Sequence, residues 1–235
     1  MIGFFDYSVW LTYISLLSAT FGIMITLHGG GHPFIGVFFL MISGLCDAFD
    51  GRVARSKKNR TETQKGFGIQ IDSLSDLVAF GVLPACIGQA MASVGPGISG
   101  VERLRISYGM KNFMIIFMLV SMLFYVLAAM IRLAYFNVIE EERQKTEGGC
   151  NKTYIGLPVT VAALIFPTLM LLQYIIPTDI TILYFIVLDI TAILFISKFD
   201  VAKPGLKGIL LMVGVGLVEF ILLLLCLLLI RHFHI

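Results

Sequence analysis

The sequence predicts an all-α fold, a polytopic membrane bundle of about seven transmembrane helices built around a six-helix core, and three observations lead to this class. The 235 residues are 58% hydrophobic and only 14% charged, whereas soluble domains carry about 25% charged residues. The mean hydropathy is +0.93. The chain also contains seven long apolar runs, and a helix needs about 20 apolar residues to cross a hydrocarbon core of about 30 Å.

The seven runs are taken in chain order. Residues 7–27 follow no basic region and precede no small-residue cleavage site, which predicts a retained helix rather than a signal peptide. Two runs are short for a transmembrane helix, residues 34–49 and 180–197. Four are long enough, residues 71–94, 113–131, 154–176 and 208–230. The sixth and seventh runs each contain one acid, Asp189 and Glu219, whose roles the sequence leaves open. Because no repeat or soluble segment interrupts the series, residues 1–235 are predicted to form a single membrane domain.

Basic residues are concentrated in alternate connections between the spans. Residues 52–65, 132–152 and 198–207 contain 13 of the 17 Lys and Arg residues, whereas residues 28–33 and 177–179 contain none. By the positive-inside rule, the basic connections are expected to face the cytoplasm. The protein is therefore predicted to be integral to the cytoplasmic membrane. The four cysteines show no disulfide or zinc spacing.

The segment CDAFDGRVARSKKNRTETQKGFGIQIDSLSD, residues 46–76, places four aspartates beside apolar spans. Asp47 and Asp50 are three residues apart and Asp72 and Asp76 four apart, so each pair lies on one face of a helix. A long polar connection allows the two helices to run antiparallel and the four carboxylates to meet near the membrane boundary. Since each buried carboxylate costs about 2.5–3.5 kcal/mol, we expect divalent cations that prefer hard oxygen ligands.

Small residues lie among these acids and allow a ligand to approach the main chain. Gly68 is expected at the start of the third helix, where main-chain amides and the helix dipole favour an anion. Carboxylates, basic residues and a positive helix end together predict a site for phosphates bridged by metal ions.

The residues also match a longer motif. The pattern D-x-x-D-G-x-x-A-R from Asp47 to Arg55, followed by G-x-x-x-D-x-x-x-D from Gly68 to Asp76, resembles the signature of the CDP-alcohol phosphotransferases. This resemblance implies a pair of divalent ions, Mg²⁺ or Mn²⁺, bound by Asp47, Asp50, Asp72 and Asp76. It also implies that Asp76 acts as general base. The CDP site would be lined by Gly51, Ala54, Arg55 and Gly68. Residues 56–67 form a longer spacer than is usual in this family.

Three further segments, residues 72–85, 132–138 and 154–167, resemble those of one branch of the family, the membrane-embedded phosphatidylserine synthases. The resemblance implies transfer of a phosphatidyl group from CDP-diacylglycerol to the hydroxyl of L-serine, with release of CMP. It further implies a homodimer among membrane lipids, with an active site that faces the cytoplasm and no nucleic-acid partner. Arg132 and Asn137 are candidate contacts for the serine carboxylate or the lipid phosphate, although an interfacial arginine is an alternative for Arg132.

Other functions stay open on the sequence alone. The same site would serve another acceptor, such as inositol phosphate or glycerol phosphate, with Lys57, Lys58 or Lys152 supplying further positive charge. The lipid would be either ester-linked or ether-linked. A divalent-cation transporter is a more remote alternative, because transporters commonly place such groups near the bilayer midplane.

Overall fold

The apolar runs form helices, which confirms the all-α class. The computed structural model describes residues 2–29, 32–57, 59–93, 108–146, 153–175, 179–202 and 205–233. Within these ranges the α-helices are α1 (Trp10–Leu27), α2 (Pro33–Ser56), α3 (Glu62–Asp76), α4 (Leu83–Ser93), α5 (Tyr108–Thr146), α6 (Ala162–Ile175), α7 (Thr181–Ile196) and α8 (Leu206–Phe233). A π-helical segment, Leu77–Val82, joins α3 to α4 without a break, and a 3₁₀ turn, Val159–Val161, precedes α6.

Five of the described helical segments are long and apolar enough to cross a membrane. They are Trp10–Leu27, Pro33–Ser56, Glu62–Ser93, Asn112–Glu142 and Lys207–Leu228. Two shorter apolar helices, Val159–Gln173 and Thr181–Ile196, complete seven segments that correspond to the seven predicted spans. A small antiparallel pair of strands, β1 (Thr153–Ile155) and β2 (Asp200–Ala202), ties the start of α6 to the end of α7.

The predicted boundaries of the second and third spans were wrong. Helix α2 continues to Ser56 and α3 begins at Glu62, so only residues 57–61 connect them. The Thr61 side chain accepts a hydrogen bond from the main-chain N–H of Gln64, and the Gln64 side chain accepts one from Thr61, which forms a capping box. Gly68 therefore lies in the second turn of α3 and not at its N-terminus. Hydropathy marks only the apolar part of a helix, whereas capping decides where the helix begins.

Helices α1 and α2 pack closely through small and hydroxyl-bearing side chains. The hydroxyl of Ser15 donates to the Ser43 carbonyl at 3.4 Å, and the hydroxyl of Ser43 donates to the Ser15 carbonyl at 3.0 Å. A Cβ atom on Gly22 would lie 2.6 Å from the Cβ of Phe39. Such close contact between helices is typical of small residues in membrane proteins. It brings the first turn of α1 next to the acidic part of α2.

The π-helical segment directly follows Asp76 and has a local cause. In a regular α-helix the carbonyl of Phe80 would accept from the N–H of residue 84, but Pro84 has no N–H and its ring crowds that carbonyl. The wider π-helical turn accommodates the ring. The buried hydroxyl of Tyr125, on α5, donates to the Phe80 carbonyl at 2.8 Å. This hydrogen bond holds the segment after Asp76 against α5.

Tyr125→Phe is expected to lower the free energy of unfolding by about 1–3 kcal/mol, because the Phe80 carbonyl loses a buried hydrogen bond that the missing N–H of Pro84 cannot replace. Tyr184→Phe is the matched control. Tyr184 donates to the Pro84 carbonyl at 2.7 Å, but that carbonyl keeps the N–H of Gly88 as its helical partner. The free energy of unfolding should therefore fall less in Tyr184→Phe than in Tyr125→Phe. Thermal unfolding of both variants in detergent tests this, and equal losses would contradict the role given to Phe80.

Candidate active site

The four aspartates of the predicted site meet where α2 packs against α3. The carboxylate oxygens of Asp47, Asp50 and Asp72 lie within 4.8 Å of one another. Asp76 is 8% exposed, and it lines the same cavity as Asp47 and Asp50. The structure thus brings together all four acids, two from each helix, as the helical spacing predicts.

Helix α1 supports this cluster through hydroxyl groups. Thr12, which is buried, donates from Oγ1 to Oδ2 of Asp50 at 3.2 Å. The hydroxyl of Ser75 donates to the Thr12 carbonyl at 3.2 Å. Ser75 precedes Asp76 on α3, so these two bonds connect α1 to both acidic helices. The first turn of α1 therefore positions the carboxylates and is part of the site.

The donor set fits a hard divalent cation. All of the converging ligand atoms are carboxylate oxygens, which Mg²⁺ and Mn²⁺ prefer. Opposite ligands of Mg²⁺ lie about 4.2 Å apart, since each metal–oxygen distance is about 2.1 Å. Separations of up to 4.8 Å among Asp47, Asp50 and Asp72 are close to that span. Buried carboxylates also need a cation to offset the cost of their charge, so the cluster can bind a metal ion.

A cavity of about 780 Å³ opens beside the acids, within the range of small-molecule sites. Its polar end is lined by Asp47, Asp50, Arg52, Arg55, Asp76 and Arg132. The opposite walls are mostly apolar and come from α2, the segment before α6, α6 itself and α8. Helix α8 contributes Ile209, Met212, Val213, Gly216, Leu217 and Phe220. The cavity therefore joins a charged site to a long apolar space.

Helix α8 forms a wall of the cavity that was not predicted from the sequence. Its exposed and cavity-facing positions are equally apolar, so no polar motif marks the face that lines the cavity. The acid in this helix, Glu219, is 8% exposed and accepts a hydrogen bond from the Thr168 hydroxyl at 2.5 Å. Asp189, on α7, accepts from the Ser121 hydroxyl at 2.8 Å. Thr191, also on α7, donates to the Val187 carbonyl.

Arg132 and Asn137 occupy different places. Arg132 is 8% exposed and lines the cavity with Asp76, and its guanidinium lies 5.0 Å from the centre of the Phe136 ring. Asn137 donates from Nδ2 to the hydroxyl of Ser73 at 2.8 Å. That bond joins α5 to α3 next to Asp72, outside the described cavity lining. The structure therefore brings Arg132 to the acids and places Asn137 behind them.

The glycines and arginines of the motif lie one turn from the acids. The Arg55 guanidinium folds over Gly51, where Nη1 is 3.2 Å from the position of a Cβ atom. Ala54, in the last turns of α2, and Gly68, in the second turn of α3, are not among the residues that line the cavity. Arg60 is one of the basic residues between positions 52 and 65, and its guanidinium lies against Gly68 and donates to the Ala54 carbonyl.

The N-terminal segment is attached to the connection between α2 and α3. Lys57 donates from Nζ to Oδ2 of Asp6 at 2.7 Å, and the Phe4 and Phe67 rings meet edge to face with centroids 5.3 Å apart. Lys65 pairs with Glu62 in the same way. Lys57 and Lys65 therefore form ion pairs within the protein. They also belong to the basic connection from which the orientation in the membrane is predicted. Lys58 and Lys152, considered above as sources of charge, lie outside the described residues.

The attachment at Asp6 is expected to depend on pH. The hydrogen bond from Lys57, followed by those from Ser8, lowers the pKa of Asp6 from 3.8 to about 2. A lowered pKa stabilises the folded state above the unfolded pKa, and this contribution is lost as the pH falls from about 4 to about 2. Hydrogen exchange at the Ser8 amide, which donates to Asp6, should be slower in the wild type than in Asp6→Asn at pH 6. The two should converge near pH 2, and a constant difference would contradict the ion pair.

Fold and site together define a class: a polytopic helical membrane protein with a carboxylate cluster suited to metal ions at the head of a largely apolar cavity. Comparison with protein families agrees with this class. The family model described as CDP-alcohol phosphatidyltransferase matches residues 7–230. The chain belongs to this family.

Relatives with curated functions include bacterial, yeast and archaeal proteins. The chain is 35% identical over 153 residues to the CDP-diacylglycerol--serine O-phosphatidyltransferase of Helicobacter pylori strain 26695, covering 65% of this chain and 53% of that protein. It is 33% identical over 163 residues to the protein of the same name from Saccharomyces cerevisiae, covering 65% and 50%. It is 34% identical over 152 residues to the archaetidylserine synthase of Methanothermobacter thermautotrophicus, covering 64% and 53%. The chain spans about half the length of the curated relatives it matches.

Proposed function

We propose that this protein transfers a phosphatidyl group from CDP-diacylglycerol to the hydroxyl of L-serine, giving phosphatidylserine and CMP. The observation that carries the proposal is the convergence of Asp47, Asp50 and Asp72 at the head of an apolar cavity. A CDP-linked lipid needs both parts, because its diphosphate requires cations and its acyl chains require an apolar space. The names of the relatives support serine as the acceptor.

The reaction is an in-line displacement at the phosphorus that carries the lipid. Asp47, Asp50 and Asp72, together with Asp76, would hold two ions of Mg²⁺ or Mn²⁺. When bound, these ions would neutralise charge on the diphosphate and stabilise the departing CMP. The bond from the serine oxygen to phosphorus forms as the phosphoanhydride bond to CMP breaks, and no covalent intermediate with the protein is needed.

Asp76 is the proposed general base. A serine hydroxyl is a weak nucleophile at neutral pH, so a carboxylate within hydrogen-bond reach must accept its proton as it attacks. Asp76 lines the cavity and is buried beside Asp47. An acceptor that enters this cavity would therefore meet Asp76 together with Asp47 and Asp50.

Arg132 is the proposed contact for the serine carboxylate. A guanidinium binds a carboxylate through two parallel hydrogen bonds. Arg132 lines the same cavity as Asp47 and Asp76. A serine held by Arg132 would thus present its hydroxyl towards the carboxylates. Asn137 would act indirectly by fixing Ser73 beside Asp72.

The CDP site is proposed at Gly51, Ala54, Arg55 and Gly68. Gly51 and Arg55 line the cavity beside the acids, and the charge of Arg55 suits a phosphate. We further propose that the site faces the cytoplasm, where the basic connections are expected, and that the protein acts as a homodimer. Chemical crosslinking in membranes tests the dimer.

The decisive experiment supplies purified protein with CDP-diacylglycerol and Mn²⁺ or Mg²⁺ and compares acceptors by CMP release. Serine should drive release, whereas glycerol phosphate and inositol phosphate should not. A preference for either phosphorylated acceptor would overturn the serine assignment. A parallel assay with an ether-linked CDP-lipid decides between the two lipid classes. Metal flux in proteoliposomes without CMP release would favour the transporter alternative instead.

A further inference from the structure

The connection between α2 and α3 contains a basic side chain that is directed into the protein. The Arg60 guanidinium donates from Nη1 to the Ala54 carbonyl at 3.5 Å and from Nη2 to the Gln64 carbonyl at 3.2 Å. Its Nη2 atom also lies 2.5 Å from the position that a Cβ atom on Gly68 would occupy. Arg60 therefore fills the gap between the two helices that carry the aspartates.

The Arg60 guanidinium has more N–H donors than its two hydrogen bonds to carbonyl groups use. A guanidinium carries five N–H groups, and the two carbonyl bonds are single contacts, one of them at the limit of hydrogen-bond length. The Nε atom is buried and has no hydrogen-bond partner among the described residues. A buried donor left unpaired is costly. The arrangement is therefore typical of a side chain that completes its hydrogen bonds when a ligand with acceptor atoms binds.

The level of Arg60 along the helices indicates which part of a ligand it meets. Ala54 lies one turn beyond Asp50 on α2, and Gly68 lies one turn before Asp72 on α3. One turn of four residues is about 6 Å. A nucleoside diphosphate held by its phosphates at the acids would extend its nucleoside to this level. Arg60 is thus placed to meet the nucleoside and not the metal-bound diphosphate.

We infer that Arg60 contacts the nucleobase and selects cytosine, an inference that rests on the proposed function. The Watson–Crick edge of cytosine presents two adjacent acceptors, N3 and O2, whereas N3 of uracil carries a proton. The fork of a guanidinium matches adjacent acceptors, as in the bidentate contact of arginine with the two acceptors on a guanine edge. Arg60 belongs to the lengthened spacer, residues 56–67.

The test measures binding of labelled CMP and UMP by equilibrium dialysis with Mn²⁺ present and with neither lipid nor serine. The wild type should bind CMP at least about tenfold more tightly than UMP. Arg60→Gln should weaken CMP binding by about ten- to a hundredfold, the size expected for a hydrogen bond to a charged group. UMP binding should change little, so the preference disappears. Arg60→Lys should also lose the preference, because an ammonium group lacks the fork.

Lys65→Gln is the matched control. It removes the same charge one turn into α3, but Lys65 is exposed and pairs with Glu62, so both affinities should stay at the wild-type level. Equal weakening of CMP and UMP in Arg60→Gln would overturn the inference, because a phosphate contact or a general disturbance of the fold affects both nucleotides. Unchanged CMP binding in that variant would overturn it as well.

The same data separate this inference from the proposed function. A wild type that releases CMP from CDP-diacylglycerol with serine, while Arg60→Gln keeps its nucleotide preference, refutes only the role of Arg60. A wild type that neither releases nor binds CMP refutes both.

Discussion

Asp76→Asn is expected to reduce serine-dependent CMP release by about a thousandfold or more while CDP-lipid binding stays near the wild-type level. General-base catalysis contributes about 10²- to 10⁴-fold to a rate, and an amide cannot accept the proton of the serine hydroxyl. Asp76 is 8% exposed and lies in the cavity wall beside Asp47. Asp47, Asp50 and Asp72 remain to hold a metal ion in this variant, so binding of the anionic diphosphate should be retained at saturating Mn²⁺.

Asp189→Asn is the control for this prediction. Asp189 is also an acid within an apolar helix, but it accepts a hydrogen bond from Ser121 between α5 and α7 and lies outside the cavity lining. Its amide variant should retain most of the activity. The measurement is single-turnover CMP release together with binding of a labelled CDP-lipid. A near-normal rate in Asp76→Asn would remove Asp76 from the role of base.

Local motifs made the acidic site predictable. The spacing of Asp47 with Asp50, and of Asp72 with Asp76, fixes which face of each helix carries the acids. Once the two helices pack side by side, the four carboxylates have to meet. Thr12 is not part of this spacing, and its bond to Asp50 at 3.2 Å depends on how α1 packs.

Features that depend on tertiary packing were not predictable in the same way. Helix α8 is apolar on every side, so its sequence does not show that Gly216 and Phe220 line the cavity. Asn137 looked like a ligand contact because of its neighbours in the sequence, yet it bonds to Ser73. Hydropathy predicts a long polar loop at residues 56–67. It detects neither the helix cap at Thr61 nor the inward orientation of the Arg60 side chain.

The second large effect is expected when one carboxylate of the proposed metal site is removed. Asp72→Asn should raise the Mn²⁺ concentration needed for half-maximal activity by more than the about 10- to 100-fold that loss of an outer-shell partner typically costs. The reason is that an oxygen of Asp72 lies within 4.8 Å of ligand oxygens of Asp47 and Asp50. A neutral amide binds a hard cation less strongly than a carboxylate.

Rescue by metal distinguishes this variant from Asp76→Asn. Saturating Mn²⁺ should restore a substantial part of the rate in Asp72→Asn, because the missing quantity is metal affinity. It should restore little in Asp76→Asn, where the missing quantity is a proton acceptor. Glu62→Gln, on the exposed first turn of the same helix, should show wild-type metal dependence, since Glu62 pairs only with Lys65 among the described residues. If Asp72→Asn needs no more Mn²⁺ than the wild type, Asp72 is not a metal ligand, and the cluster must be reduced to the carboxylates of α2 and Asp76.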